Sequence, residues 1–167
     1  MYNDLATFGF SFLLLITMWL RYTRIMSVFP LETPRVIALN IMLLFCVSIE
    51  PFLFNLVRNP PTDYRAFADA VSTLYALDLG AMFGILGGFT LTLADEDRSL
   101  IPKGLIRQYR FEGSVLFTCG LIFGLSALPV FFTTATPGGD PIRYYLWLIP
   151  LSLIWVTRNW YRYKGGA

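Results

Sequence analysis

The sequence contains no histidine and few charged residues for its length. Of its 167 residues, 14% are charged and 56% are hydrophobic, whereas a soluble domain is usually about 25% charged. Without histidine the chain lacks the commonest general base and the commonest transition-metal ligand, which excludes a Ser/His/Asp triad. Phosphate-binding glycine loops, metal-ligand spacings and nucleophile elbows are also missing. We therefore predict that the protein is not an enzyme, with no catalytic residue, cofactor or metal.

The sequence also has few cysteines and a small net charge. The two cysteines, Cys46 and Cys119, both lie in apolar stretches, where a thiol behaves as a small hydrophobic group. A disulfide between them is therefore not expected. The net charge is only +2, so composition gives no support for binding to nucleic acid.

The sequence is rich instead in long apolar segments. Most of them approach or exceed the 18 or so residues needed to cross a hydrocarbon core of about 30 Å. Helices are predicted because each backbone N–H and C=O in lipid must be paired, and the period-2 alternation of a membrane β-barrel is absent. The predicted helices span about 5–26, 36–57, 67–93, 114–132 and 144–160. We predict an all-α, polytopic membrane helix bundle of five transmembrane helices, forming a single transmembrane domain over residues 1–167.

The connection between the third and fourth predicted helices has an amphipathic composition. It begins with the acidic run Asp95-Glu96-Asp97 and continues through residues 100–111, which mix Leu and Ile with Lys and Arg. This composition is typical of a short helix lying at the membrane surface. A solvated linker is the alternative interpretation.

Lysine and arginine are distributed unevenly between the two sides of the predicted bundle. One side, which includes the C-terminal tail, carries ten of them: Arg21, Arg24, Arg35, Arg98, Lys103, Arg107, Arg110, Arg158, Arg162 and Lys164. The other side carries three: Arg58, Arg65 and Arg143. Because basic loops stay in the cytoplasm, the C-terminus is predicted to be cytoplasmic and the N-terminus outside.

Small residues recur at four-residue steps in two of the predicted helices. They are Ala76, Gly80, Gly84 and Gly88 in the third helix, and Gly120 and Gly124 in the fourth. Such a row lets two helix backbones approach closely, so that van der Waals contact holds them together in lipid. We predict that these residues pack against another helix, which belongs either to this chain or to another subunit.

Polar side chains at membrane depth must face protein or water, because an ionised carboxylate in hydrocarbon is costly. Glu50 precedes Pro51, and this pair predicts a kink lined by polar groups. Asp78 lies deep in the third helix; it is either an ion or proton site or a structural hydrogen-bonding partner of Asn40 or an arginine. The structural interpretation is favoured. Asp69 is predicted to lie near the outer interface with no special role.

The first three predicted helices carry a set of motif residues. These are Ser11, Phe12, Trp19 and Arg24 in the first, Asn40, Pro51 and Phe52 in the second, and Tyr75 in the third. In this pattern a Ser-Phe and a Trp precede a basic helix end, and a helix containing Asn ends in Pro-Phe. The pattern resembles the second to fourth helices of the transmembrane protein 175 family, the prokaryotic and lysosomal potassium channels.

The resemblance implies an integral membrane protein of the prokaryotic cell membrane that assembles around a K⁺ pore. Two departures qualify it: Tyr22 stands where the family has His, and the family's first, pore-lining helix is not represented. The resemblance therefore implies a subunit that conducts cations only when completed by oligomerisation or by a partner helix. The alternative is a non-conducting structural or accessory subunit of a larger membrane protein complex. In either case the expected partners are the lipid bilayer and other membrane subunits, and no nucleic acid.

Overall fold

The computed structural model describes residues 2–29, 34–59, 65–96, 100–137, 139 and 141–165. Over these residues the chain is helical, with no strand; an isolated bridge joins Ala135 and Pro141. The helices are α1 (Tyr2–Met26), α2 (Pro34–Arg58), α3 (Arg65–Leu93), α4 (Lys103–Ser126), α5 (Val130–Thr133), α6 (Ile142–Leu146) and α7 (Leu148–Gly165). The prediction of an all-α chain is confirmed.

The helices α1 to α3 begin two or three residues before the predicted apolar segments. Helix α2 begins at Pro34, a residue that suits the first helical turn because the missing N–H would have no partner there. The same helix continues through Pro51 to Arg58. Pro51 lies on the exposed side of α2, so it is accommodated within the helix rather than ending it.

The fourth long helix differs from its prediction at both ends. Residues 100–111 and 114–132 were expected as separate segments, but the structure forms one helix from Lys103 to Ser126. Its start follows Pro102, and Pro129 comes soon after its end, so prolines delimit it on both sides. The basic residues that predicted a surface helix or a linker therefore form the first turns of α4.

The last predicted helix, 144–160, is divided in two in the structure. Helix α6 ends at Leu146 and α7 begins at Leu148. Pro150 lies near the start of α7 and has no N–H to donate to the carbonyl of Leu146, four residues earlier. This missing bond explains the break around Trp147.

Helix α3 lies at the centre of the fold. It packs most extensively against α4 and also contacts α2 and α1, while α4 contacts α6 and α7. Large buried side chains fill these contacts. Among them, the rings of Phe83 on α3 and Phe123 on α4 stack with their centroids 5.5 Å apart.

Glycines bring α3 and α4 into backbone contact. A Cβ atom added to Gly120 would lie 3.0 Å from both the carbonyl oxygen of Gly80 and the amide nitrogen of Gly84. A Cβ atom added to Gly80 would in turn lie 3.3 Å from the amide nitrogen of Gly124. These four glycines therefore meet within one chain. Ala76, one turn before Gly80, is completely buried.

The glycine contact continues along α3 through a residue that the four-residue spacing does not include. A Cβ atom added to Gly87 would lie 2.9 Å from the amide nitrogen of Phe117 and 3.2 Å from the carbonyl oxygen of Gly113. At Gly88, by contrast, an added Cβ atom would meet nothing within 4 Å. The inclusion of Gly88 in the packed row was therefore wrong, because the preceding residue is the one that faces α4.

Within the described ranges, two helices are long and apolar enough to cross a membrane, and they differ in how deeply they are buried. They are Val36–Arg58 of α2 and Arg65–Leu93 of α3. The most apolar window of α3 is 56% buried in the protein, whereas that of α2 is only 22% buried. Helix α2 therefore presents most of its apolar surface to the surroundings.

Replacing Gly87 by Ala should destabilise the protein by about 1–3 kcal/mol, because the new methyl group would press on the backbone of α4. Gly88→Ala is the matched control on the same helix; it should be neutral or slightly stabilising, since Gly disfavours helix relative to Ala. Thermal unfolding of both variants in detergent measures the difference. Equal stability of the two variants would contradict the described α3–α4 contact.

Candidate functional site: a buried polar network

A completely buried arginine lies at one end of the helix bundle. The side chain of Arg143, on α6, is 0% exposed and reaches the end of α4. It donates hydrogen bonds to three successive carbonyl oxygens there: Nε to Ser126 at 2.7 Å, and Nη2 to Ala127 and Leu128 at 3.1 Å each. The last carbonyls of a helix have no partner within the helix and carry its negative dipole end. The guanidinium therefore supplies both the missing donors and a matching charge.

The other side of the same guanidinium faces α3. Its Nη1 atom contacts three side chains there: Asp69 Oδ1 at 2.9 Å, Ser72 Oγ at 2.6 Å and Thr73 Oγ1 at 3.0 Å. The Asp69 carboxylate is 30% exposed and forms an ion pair with Arg143. A buried charge is tolerated when it is paired and hydrogen-bonded, and both conditions hold for Arg143.

The expectation that Asp69 has no special role was wrong. The pairing joins residues 74 positions apart in the sequence, so no local pattern reveals it. A partial signal was present in the positions of Ser72 and Thr73, which follow Asp69 by three and four residues and extend its polar face along the helix.

Aromatic side chains extend the network from Arg143 towards α2. Trp147 Nε1 donates to Ser126 Oγ at 3.0 Å, and the Trp147 ring lies 5.1 Å from the ring of Tyr75. The Tyr75 hydroxyl donates to Glu50 Oε1 at 3.2 Å, and Glu50 is completely buried. The carboxylate of Glu50 therefore faces protein.

Asp78 lies further along α3 and is separate from this network. On α2 it interacts electrostatically with the thiol of Cys46. The expected bond to Asn40 is not formed; the Asn40 amide instead contacts Met26 Sδ at 4.0 Å. The reason is helix register, because Asn40 lies six residues away from Cys46 on α2, a distance of about 9 Å along the helix axis.

One buried oxygen of Asp78, Oδ2, has no hydrogen-bond partner among the described residues, and neither does Asn40 Oδ1. Both cysteines, Cys46 and Cys119, are buried and free. The described part of the chain contains no group of three or more His, Cys, Asp or Glu side chains that could hold a metal ion.

The motif residues of α1 and α2 do not converge on this network. Phe12, Trp19 and Phe52 are more than half exposed, and Arg24 and Pro51 are also exposed. The side chain of Ser11 lies outside the described residues. Tyr75 is the motif residue that takes part in the buried network.

Comparison of the chain with protein-family models, with curated proteins and with solved structures finds no match. The resemblance to the transmembrane protein 175 family therefore stays a prediction that depends on the motif residues.

Replacing Arg143 by Lys should destabilise the protein by about 2 kcal/mol or more, although the charge is kept. An ammonium group has only three N–H donors on one atom, too few to replace all the contacts that the planar guanidinium makes with the α4 carbonyls and the α3 side chains. Arg24→Lys, at an exposed arginine, is the control and should change stability little. Unfolding in detergent would be compared for the two variants, and an Arg143→Lys protein as stable as the control would show that the guanidinium contacts are not needed.

Proposed function

We propose that this chain is an integral membrane protein with five crossings, formed by α1, α2, α3, α4 and the α6–α7 segment. The observation that carries the proposal is the exposed apolar surface of α2. Ile41 and Phe45 are 63% and 65% exposed, and Leu44 between them is 55% exposed. A continuous surface of this kind is unfavourable in water and favourable in lipid.

The distribution of charge supports the same proposal. Arg143 and Glu50 are completely buried, while each long helix exposes large apolar side chains among the described residues. Water-soluble proteins show the opposite arrangement, since their charged residues are almost always at the surface. Ionisable groups that face the interior and pair with one another are characteristic of membrane helices.

The proposed orientation places the N-terminus outside and the C-terminus in the cytoplasm. Its support is the exposed basic residues at the start of α4, Lys103, Arg107 and Arg110, together with Arg24 at the end of α1. With antiparallel crossings, these residues share one side of the membrane. Arg143 near the opposite side is buried and paired, and so it does not act as a loop charge.

Single cysteines test the insertion and the orientation together. Thr134→Cys should react with a membrane-impermeant maleimide in intact cells, and Ser27→Cys should react only after permeabilisation; both positions are exposed. The unmodified chain is the control, because its cysteines are buried. The reverse pattern would contradict the orientation, and release of the protein by alkaline carbonate would contradict insertion.

We further propose that the protein acts as a cation-conducting subunit of the transmembrane protein 175 type, in an assembly with further copies or with another subunit. The support comes from the motif residues. Phe12 and Trp19 on α1 and Phe52 on α2 lie on the outside of the single chain. Such side chains are available for contact with a neighbouring subunit, where aromatic residues are favoured.

A non-conducting accessory subunit is the second candidate, and a specific observation favours it. The buried ionisable residues are engaged in contacts between helices of the same chain: Arg143 with Asp69, and Glu50 with Tyr75. These contacts hold the bundle together rather than lining a path for ions.

Potassium flux from liposomes distinguishes the two candidates. The channel proposal predicts K⁺ flux from the purified assembly, and it predicts that Trp19→Ala reduces this flux several-fold while Leu20→Ala leaves it intact. Both residues are exposed neighbours on α1. Comparing the two variants therefore separates the effect of losing the motif residue from the effect of losing exposed apolar surface in general. Absence of flux, with another membrane protein co-purifying in fixed ratio, would favour the accessory role.

A further inference from the structure

A basic groove lies at the start of α4, next to the end of α3. Its volume is about 760 Å³, and the cationic residues that line it are Lys103, Arg107 and Arg110. Among the described residues, Glu96 is the one carboxylate in the lining, and it forms an ion pair with Arg110 at 2.8 Å. The described lining thus holds three cations against one anion, which complements a negatively charged ligand.

Apolar side chains also line the groove. Ile101 and Ile106 line it and are themselves buried in the protein. Lys103 and Arg107 are exposed, one helical turn apart on the same side of α4. The groove therefore combines apolar and cationic lining residues, an arrangement that suits an amphiphile better than a free ion.

The same face of α4 changes from basic to apolar along its length. Residues 103, 107, 110, 117, 121 and 125 all fall within a stripe about 80° wide, at 100° of rotation per residue. Beyond the basic turns, the stripe exposes Phe117, Leu121 and Leu125, which are 46%, 53% and 59% exposed. Its apolar part begins within about 10 Å of Arg110 along the helix axis. A charged head bound in the groove would thus leave its hydrocarbon chain free to follow the stripe.

We propose that this groove binds the headgroup of an anionic phospholipid, whose acyl chain lies along the exposed stripe of α4. The proposal depends on the membrane insertion proposed above. In the proposed orientation the groove faces the cytoplasmic leaflet, where anionic lipids are attracted by exposed Lys and Arg. The uncapped start of α4, where the Pro102 side chain makes no capping bond, adds to the positive field there.

The test measures binding of short-chain lipids to the purified full-length chain in neutral detergent, by the shift in its thermal unfolding midpoint. Dihexanoyl-phosphatidylglycerol should stabilise the protein, whereas dihexanoyl-phosphatidylcholine at equal concentration should not. Glycerophosphoglycerol, which is the same headgroup without acyl chains, and inorganic phosphate should bind at least tenfold more weakly. Equal stabilisation by phosphate alone, or by the zwitterionic lipid, would overturn the proposal.

Single substitutions test whether the anionic lipid binds in the groove. Arg107→Gln should weaken binding of the anionic lipid about fivefold, and Arg107→Lys should restore it. Arg24→Gln removes another exposed arginine, at the end of α1, and should leave the affinity within twofold. If Arg107→Gln fails to fold, Lys103→Gln serves in its place. An equal loss of affinity in the Arg24 variant would show a general effect of charge and would contradict binding in the groove.

Failure of lipid binding in the groove can be distinguished from failure of membrane insertion. Carbonate extraction and cysteine labelling report on insertion without any lipid titration. A protein that inserts, yet does not discriminate the two dihexanoyl lipids, would refute the groove and leave the membrane proposal intact.

Discussion

The guanidinium of Arg143 is the contact on which one whole end of the molecule depends. It closes the C-terminal end of α4, pairs with Asp69 on α3 and lies 5.3 Å from the ring of Phe132 on α5. The short helices α5 and α6 have few residues of their own to bury, so this contact fixes their position. Because a buried charge without partners costs several kcal/mol, the surrounding groups must stay in place together.

Two different forces hold α3 against α4. At the Arg143 end the attraction is electrostatic and directional, with hydrogen bonds to both helices. Along the rest of the pair it is close packing, made possible by Gly80, Gly87 and Gly120. In the lipid environment proposed for this chain, where apolar side chains gain little by leaving their solvent, such contacts provide most of the association. Helix α2 joins through the Tyr75–Glu50 bond and side-chain packing, without a glycine contact of this kind among the described residues.

The sequence predicted three of the long helices closely, together with the glycine contact between α3 and α4, but not the limits of the later helices or the buried ion pair. Apolar length identified α1 to α3 to within a few residues, because hydrophobicity and prolines are local signals. Helix α4 was wrongly predicted as two segments, because its first turns are basic, as in a surface helix, and the rest is apolar, as in a membrane helix. Gly87 and Gly88 could not be separated, because positions seven and eight after Gly80 both lie near one helix face. Pairing of Asp69 with Arg143 depends on the tertiary fold and leaves no local pattern.

The late position of Arg143 in the chain has a consequence for biogenesis. Helices α3 and α4 are adjacent in sequence and touch along much of their length, so they can associate as a hairpin soon after synthesis. Until residue 143 emerges from the ribosome, however, Asp69 lacks its cation and the end of α4 lacks its donors. A nascent or truncated chain that ends before residue 143 thus has an Asp69 carboxylate without its cation, next to carbonyls without their donors, so this end of the bundle is completed only when α6 has been synthesised.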